Sequence, residues 1–146
     1  MGAKRRRAAA PTHGTVPPGL DADSPVFQGL VRGALPLFLL TLLDARPLHG
    51  VDMMRAIRGM TGGSWTPSPG SVYPVLKRLE RDGIIQGRWQ RGPAAPRRVY
   101  RLTATGRAGL PDRQHRLLVE LLAAREVIDV HVAALRGMER GAGDGA

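Results

Sequence analysis

The sequence predicts a mainly α-helical fold carrying one small β-hairpin and ending in a long C-terminal helix. Three observations carry that prediction. Apolar residues recur at helical spacing in successive stretches from Leu35 onward, a pair of short strand patterns about a Gly-Pro tip follows Gly83, and the last helical stretch has a heptad-like apolar seam. With 146 residues, 42% of them hydrophobic, the chain has material for one core plus tails, so a single folded unit is expected.

Taken in order, residues 1–23 are rich in Ala, Pro, Gly and charge and have no apolar period, which predicts a disordered basic tail. The run Leu35, Leu37, Phe38, Leu39, Leu40, Leu42, Leu43 is apolar nearly all round and predicts a buried first helix, with Pro36 near its start. After the Arg46-Pro47 break, Val51, Met54 and Ile57 with Met53 and Met60 predict a second helix over about 50–61, stopped by Gly62-Gly63. The third helix has the clearest start, because Ser68 can cap free amides while Pro69 takes the first helical position. Val72, Leu76 and Leu79 then fall on one face, and Gly83 ends the helix. The opposite face collects Gly70, Pro74, Lys77, Arg78 and Arg81, flanked by Ser71 and Tyr73, and so is basic and exposed. Pro74 sits deeper than a helix tolerates easily, since it removes one backbone hydrogen bond.

The stretch from Ile84 to Trp89, the tip Gly92-Pro93-Ala94-Ala95-Pro96 and the stretch from Arg97 to Leu102 predict a hairpin. It holds Arg88, Arg91, Arg97, Arg98 and Arg101 and no carboxylate, so it is itself a candidate anion contact. Trp65 and Trp89 read as core or interface anchors. Thr103 can cap a following turn, but Gly106, Gly109 and Pro111 interrupt it, so the last helix is expected from near Pro111 to about Arg136. Its seam is Leu117, Leu121, Ala124, Ile128 and Leu135, widened by Leu118, Leu122, Val127 and Val132. That is more apolar surface than one helix leaves in water, which predicts a homodimer; folding back on its own domain is the alternative. The divisions expected are 24–109 for the helices and the basic hairpin and 110–138 for dimerisation, with 139–146 a flexible end.

Charge and composition narrow the function. Lys and Arg number 22 against 12 Asp and Glu, net +10, which favours a polyanionic partner, nucleic acid or an acidic membrane surface. The absence of Cys excludes a disulfide framework or thiolate metal site, and the four His have no metal spacing. No apolar run is expected to span a bilayer, and the basic start Lys4, Arg5, Arg6, Arg7 leads into no apolar stretch of a signal peptide, so a cytoplasmic protein without a membrane partner is expected. For that basic run, solubilisation is the simpler reading and non-specific DNA contact the other. No Ser-His-Asp, paired-carboxylate or phosphate-loop arrangement stands at informative spacing, so neither an enzyme nor a bound cofactor is expected.

Three helices, a basic hairpin and a long apolar-striped helix follow the order of a winged helix-turn-helix protein with a C-terminal dimerisation helix. The residues go further. Leu42-Leu43 through Pro47-Leu48-His49-Gly50, then Gly62-Gly63-Ser64-Trp65-Thr66-Pro67-Ser68-Pro69-Gly70-Ser71-Val72-Tyr73-Pro74, then Leu79-Glu80-Arg81-Asp82-Gly83, closely resemble the PadR family of transcription regulators, as does Arg97-Arg98-Val99-Tyr100-Arg101-Leu102-Thr103 with Gly106-Arg107. The resemblance covers roughly residues 30–110, and the single last helix resembles the family's shorter subgroup. It implies a homodimer on a near-palindromic double-stranded DNA operator, a repressor released in many members by a small-molecule effector. Carried over by position, it implies DNA contacts from Ser68, Ser71, Tyr73, Lys77 and Arg78 on the third helix and from Arg91, Arg97 and Arg98 on the wing. It also makes the Tyr73-Pro74 pair a family feature. Val51 departs from the aromatic that often follows His-Gly, and the last helix has no Trp, Tyr or Phe, so a planar aromatic ligand does not carry over. Two other readings fit the charge: a winged-helix adaptor that docks proteins, and a nucleoid-type protein indifferent to DNA sequence.

Overall fold

A computed structural model describes residues 16–143, so the expected tail lies outside the described residues as far as position 15. The chain divides into two compact units, Met1–Leu110 and Pro111–Ala146.

Helix α1 spans Pro25–Ala45. It starts ten residues before the apolar run that predicted it, because Ser24 and Pro25 repeat the device read at Ser68 and Pro69: the Ser24 hydroxyl accepts the Phe27 N–H at 3.0 Å, and Pro25 takes the first helical position. Pro36 therefore lies inside the helix and not near its start. By length and composition α1 is long and apolar enough to cross a membrane, which corrects the expectation that no such run exists. Its Phe27, Leu35, Leu39, Leu40 and Leu43 are instead buried in the core of the first unit. Ahead of it, Val16 and Leu20 already pack against that core, so the chain is anchored eight residues before the boundary expected at 24.

Helix α2, Gly50–Met60, and helix α3, Pro69–Arg81, match their predicted spans closely. Both end on glycines in the left-handed region, Gly62 and Gly63 after α2 and Gly83 after α3, and the N–H of Ile84 reaches back to the Leu79 carbonyl at 2.9 Å. Met53 and Ile57 of α2 and Val72, Leu76 and Leu79 of α3 meet the α1 leucines, each such burial contributing about 1.5–3 kcal/mol. Trp65, in the α2–α3 connection, is buried edge-on to Phe27 and Phe38 at 6.4 and 5.8 Å, the core anchor its sequence position predicted.

The hairpin strands are β2, Ile85–Gln90, and β3, Arg97–Leu102. A third strand joins them: β1, Leu48–His49, pairs antiparallel with β3, giving the order β1-β3-β2. Two residues are too few to show alternation, so this strand was not visible in the sequence.

Helix α4 runs Ala104–Gly143, which corrects both expected ends. Thr103 caps it, its hydroxyl accepting the Gly106 N–H at 3.0 Å, so the helix begins seven residues before Pro111 and continues seven beyond Arg136. Gly106 reads in sequence as an interruption, yet here it is a contact: a Cβ at this position would collide with the backbone carbonyl of Ile84. The same carbonyl accepts the Thr103 N–H at 3.1 Å, and Arg107 pairs with Asp44 at the end of α1.

Pro36, Pro74 and Pro111 all lie inside helices, and one physical reason covers them. Each proline frees the carbonyl four residues earlier, and those residues, Arg32, Gly70 and Arg107, are all exposed, so water can take the lost bond.

Replacing Gly106 by Ala is expected to cost about 1–3 kcal/mol by overpacking against Ile84, whereas Gly33→Ala in α1, with open space around it, should gain up to about 1 kcal/mol of helix propensity. Urea unfolding followed by circular dichroism measures both; equal midpoints would show that the Ile84 contact does not constrain the fold.

Candidate nucleic-acid interface

The exposed face of α3 carries Tyr73, Lys77 and Arg78 at consecutive-turn spacing, opposite the buried Val72, Leu76 and Leu79. Lys77 and Arg78 make no ion pair among the described residues, whereas Arg81 pairs with the neighbouring Asp82. Ser68 and Ser71 are occupied differently. Ser68 is the cap itself, its hydroxyl accepting the Ser71 N–H at 3.2 Å and standing 3.0 Å from the Ser71 hydroxyl, and both residues are half-buried. Tyr73 is 43% exposed and lies against the start of α2, where a Cβ on Gly50 would come within 2.9 Å of its ring. The Gly50 of the His-Gly pair therefore lets α2 and α3 approach.

Strand register sorts the wing arginines. Gln86↔Arg101, Arg88↔Val99 and Gln90↔Arg97 pair on one face of the hairpin, and Ile85↔Leu102, Gly87↔Tyr100 and Trp89↔Arg98 on the other. Arg88, Arg97 and Arg101 are exposed on the first face, and Arg91 is exposed in the loop. None of these four makes an ion pair among the described residues.

Arg98 points the other way. Its guanidinium meets Glu80 of α3 at 2.6 Å, and the same Glu80 oxygen accepts the Gly87 N–H at 2.9 Å. Gly87 leaves room for this arrangement, since a Cβ here would occupy the space of the Arg98 Nε and displace the guanidinium. Trp89 and Tyr100 flank the cation at 5.9 and 5.7 Å, and the Arg98 carbonyl accepts a hydrogen bond from His49 Nδ1 at 3.2 Å. Arg98 is thus committed to joining α3, β2 and β1, and its Nε is buried without a partner. Burial raises the Tyr100 phenol above its ordinary pKa, against the opposing pull of the Arg98 guanidinium. Trp89 is 65% exposed, so it is no core anchor. Between the start of α2, α3 and the wing a cleft of about 530 Å³ opens, lined by Tyr73, Trp89, Arg97 and Arg98 among others.

Sequence reasoning placed the cations of α3 and the wing but missed Glu80 as their organiser. It also treated the wing arginines alike, although counting odd and even positions along the strand from 97 to 102 separates Arg98 from Arg97 and Arg101. Chemically, the surface presents guanidinium and ammonium groups that form no ion pair among the described residues, together with exposed rings, an arrangement suited to anions.

Comparison with known proteins bears on the same region. Residues 39–112 match the model of the transcriptional regulator PadR-like family. The chain is 33% identical over 105 residues to the transcriptional regulator YqjI of Escherichia coli (strain K12), covering 72% of this chain and 48% of that protein. It thus spans about half the length of that relative. It is 36% identical over 97 residues to the transcriptional regulator Rv3488 of Mycobacterium tuberculosis, covering 66% of this chain and 85% of that one. Among solved structures it is similar to a PadR family transcriptional regulator from Eggerthella lenta (TM-score 0.59, 24% identity, 70% of this chain and 88% of that one). A transcriptional regulator from Clostridium thermocellum has a TM-score of 0.57 at 23% identity, over 69% of this chain and 95% of that one. These two likenesses support the winged-helix fold.

Removing the Glu80 carboxylate strands both the Gly87 N–H and the Arg98 cation. Glu80→Ala should therefore lower stability by about 1–3 kcal/mol, and Glu80→Gln, which keeps an acceptor oxygen, by less. Urea denaturation that ranks the two variants in the opposite order would show that the carboxylate does not hold the wing.

Proposed function

The chain belongs to the transcriptional regulator PadR-like family, and we propose that it acts in the cytoplasm as a homodimeric repressor on near-palindromic double-stranded DNA, released by a small-molecule effector or another signal. The observation that carries the DNA reading is the set of cations without ion-pair partners among the described residues on one face of α3 and along the wing, Lys77 and Arg78 with Arg88, Arg91, Arg97 and Arg101.

Two separate contributions make such a surface selective. Contacts to phosphates from the wing arginines give affinity and orientation, each neutralised phosphate adding about 0.9 to the slope of log affinity against log salt. Base edges in the major groove give sequence choice, and Lys77 or Arg78 on a guanine edge is worth about 1–3 kcal/mol. Ser68, Ser71 and Tyr73 set the start of α3 against the duplex. Arg98 contributes through Glu80 by fixing the wing, more than by touching DNA.

Dimerisation is supported by the second unit. Between residues 111 and 141 no residue is buried, and Leu118, Leu121, Leu122, Ile128 and Leu135 stand 44–57% exposed, with Leu117 half-buried. The seam of Leu117, Leu121, Ala124, Ile128 and Leu135 is the interface we propose, since pairing two such stripes removes that surface from water. A two-fold pair would set two α3 helices about 34 Å apart, one DNA turn. An effector that favours a different dimer geometry releases the operator by shifting the population.

Titration into DNA from upstream of the chain's own gene and into a shuffled duplex should show about a thousandfold preference at 200 mM salt, and Lys77→Ala should remove about 1–3 kcal/mol of that preference. Equal binding to both duplexes, with parallel loss in salt, would instead favour a nucleoid-type protein, and no binding to either an adaptor. Leu121→Asp combined with Ile128→Asp should halve the mass measured by sedimentation equilibrium at micromolar concentration; an unchanged mass would place the interface elsewhere.

A further inference from the structure

We propose that the cleft between the start of α2, α3 and the wing binds a purine mononucleotide, whose base stacks on Trp89 and whose phosphate meets Arg55. This deepens the effector part of the reading above and rests on that reading for release from DNA, though not for the binding itself. Size comes first. The cleft holds about 530 Å³, more than three times the roughly 150 Å³ that encloses one benzene ring, so it has room for a fused base with its sugar and phosphate. Rings come second. Of the two Trp, two Tyr and two Phe of the chain, Phe27, Phe38 and Trp65 pack together in the core, and the other three, Tyr73, Trp89 and Tyr100, all line this cleft. Trp89 remains 65% exposed although Arg98 stands over its ring at 5.9 Å, so one ring face is taken and the other is open to a flat partner.

Charge comes third. Arg55 of α2 lines the cleft and gives Asp52 one hydrogen bond at 3.1 Å, so most of its guanidinium donors remain for an anion. Arg97 borders the same cleft from the start of β3 and forms no ion pair among the described residues. Asp52 lines it as well. A carboxylate there disfavours a ligand that is only a flat acid and favours one that also carries donors, as the sugar hydroxyls and exocyclic amine of a nucleotide do. The walls are fixed in advance: Glu80 holds Arg98, and Tyr73 lies against Gly50. A preformed site loses little freedom on binding. Duplex DNA does not offer the same fit, because its bases are stacked on one another and present no free face to Trp89. A free nucleotide supplies both base face and phosphate. Once bound, it lies against Tyr73 and Arg97, two of the residues proposed for the operator, so nucleotide and operator exclude each other on the same subunit.

Isothermal titration calorimetry of the full chain with AMP and GMP tests the site without DNA. At least one of the two should bind saturably, with adenosine, ribose 5-phosphate and benzoate each about tenfold weaker or more. Trp89→Ala should weaken that nucleotide by about 5–150-fold, the effect of one stacked base, and Arg55→Ala by about 10–150-fold. Both side chains are exposed, and circular dichroism melts check that the core is unchanged. Saturation by neither nucleotide, benzoate binding as tightly as they do, or either variant binding like the unsubstituted chain would overturn the inference. Release is read separately, on the duplex from upstream of the chain's own gene. The bound nucleotide at ten times its own Kd should raise the apparent Kd for that duplex about elevenfold, and an unchanged Kd would overturn the exclusion. Failure of the DNA-binding reading looks different: the chain then does not prefer that duplex with or without nucleotide, while calorimetry still decides the site.

Discussion

The arrangement of the first unit depends on one carboxylate. Glu80 sits near the end of α3, with one oxygen taking both the Arg98 guanidinium of β3 and the Gly87 amide of β2. Without it, the helix and the sheet would lose these two polar contacts and rely on apolar packing, which has no directional preference. With it, the angle between them is set by two hydrogen bonds of fixed geometry. Other features follow from that lock. A Cβ at position 87 would push the Arg98 guanidinium off Glu80, Arg98 turns inward, and the remaining hairpin arginines are left to face out. The flanking rings of Trp89 and Tyr100 shield a half-exposed pair that would otherwise be worth little in water.

Close approach is the second constraint, and glycine marks it twice more. Gly50 lets Tyr73 lie against the start of α2, and Gly106 lets α4 begin directly on the carbonyl of Ile84. Together with Thr103, which bonds the carbonyls of Gly83 and Ile84, this ties the first turn of α4 to the turn that ends α3. The helix that carries the apolar seam therefore begins on the same turn that ends the helix bearing the cations.

Much of this was legible in the sequence, for identifiable reasons. Helices α2 and α3 and both hairpin strands are set by period and by punctuation, the Pro47 break ahead of α2, Ser68-Pro69 ahead of α3 and glycine after each, and these signals are local. The misjudged boundaries share one cause. Pro36 reads as the start of a helix, and Gly106 and Pro111 as interruptions before one, because in isolation each weakens a helix interior; what accommodates them is an exposed carbonyl or a neighbouring backbone, and neither is written near them in the sequence. The start of α1 was readable from Ser24 and Pro25, but a stretch only sparsely apolar on that side hid it. Strand β1 and the Glu80 lock depend on partners dozens of residues apart. The outward and inward arginines lay in between: parity along β3 separates them, once the strand is accepted as regular.

The two-residue strand β1 has a consequence for how such a wing can change over generations. It pins β3 at Tyr100 and Val99 along the edge opposite β2, so the register of the inward and outward residues does not rely on the loop 91–96 alone. Insertions and deletions in that loop can lengthen, shorten or recharge the tip without turning Arg98 outward or Arg97 inward. The fold thus separates a part that must be inherited intact from a part free to drift in length and charge at little risk to folding.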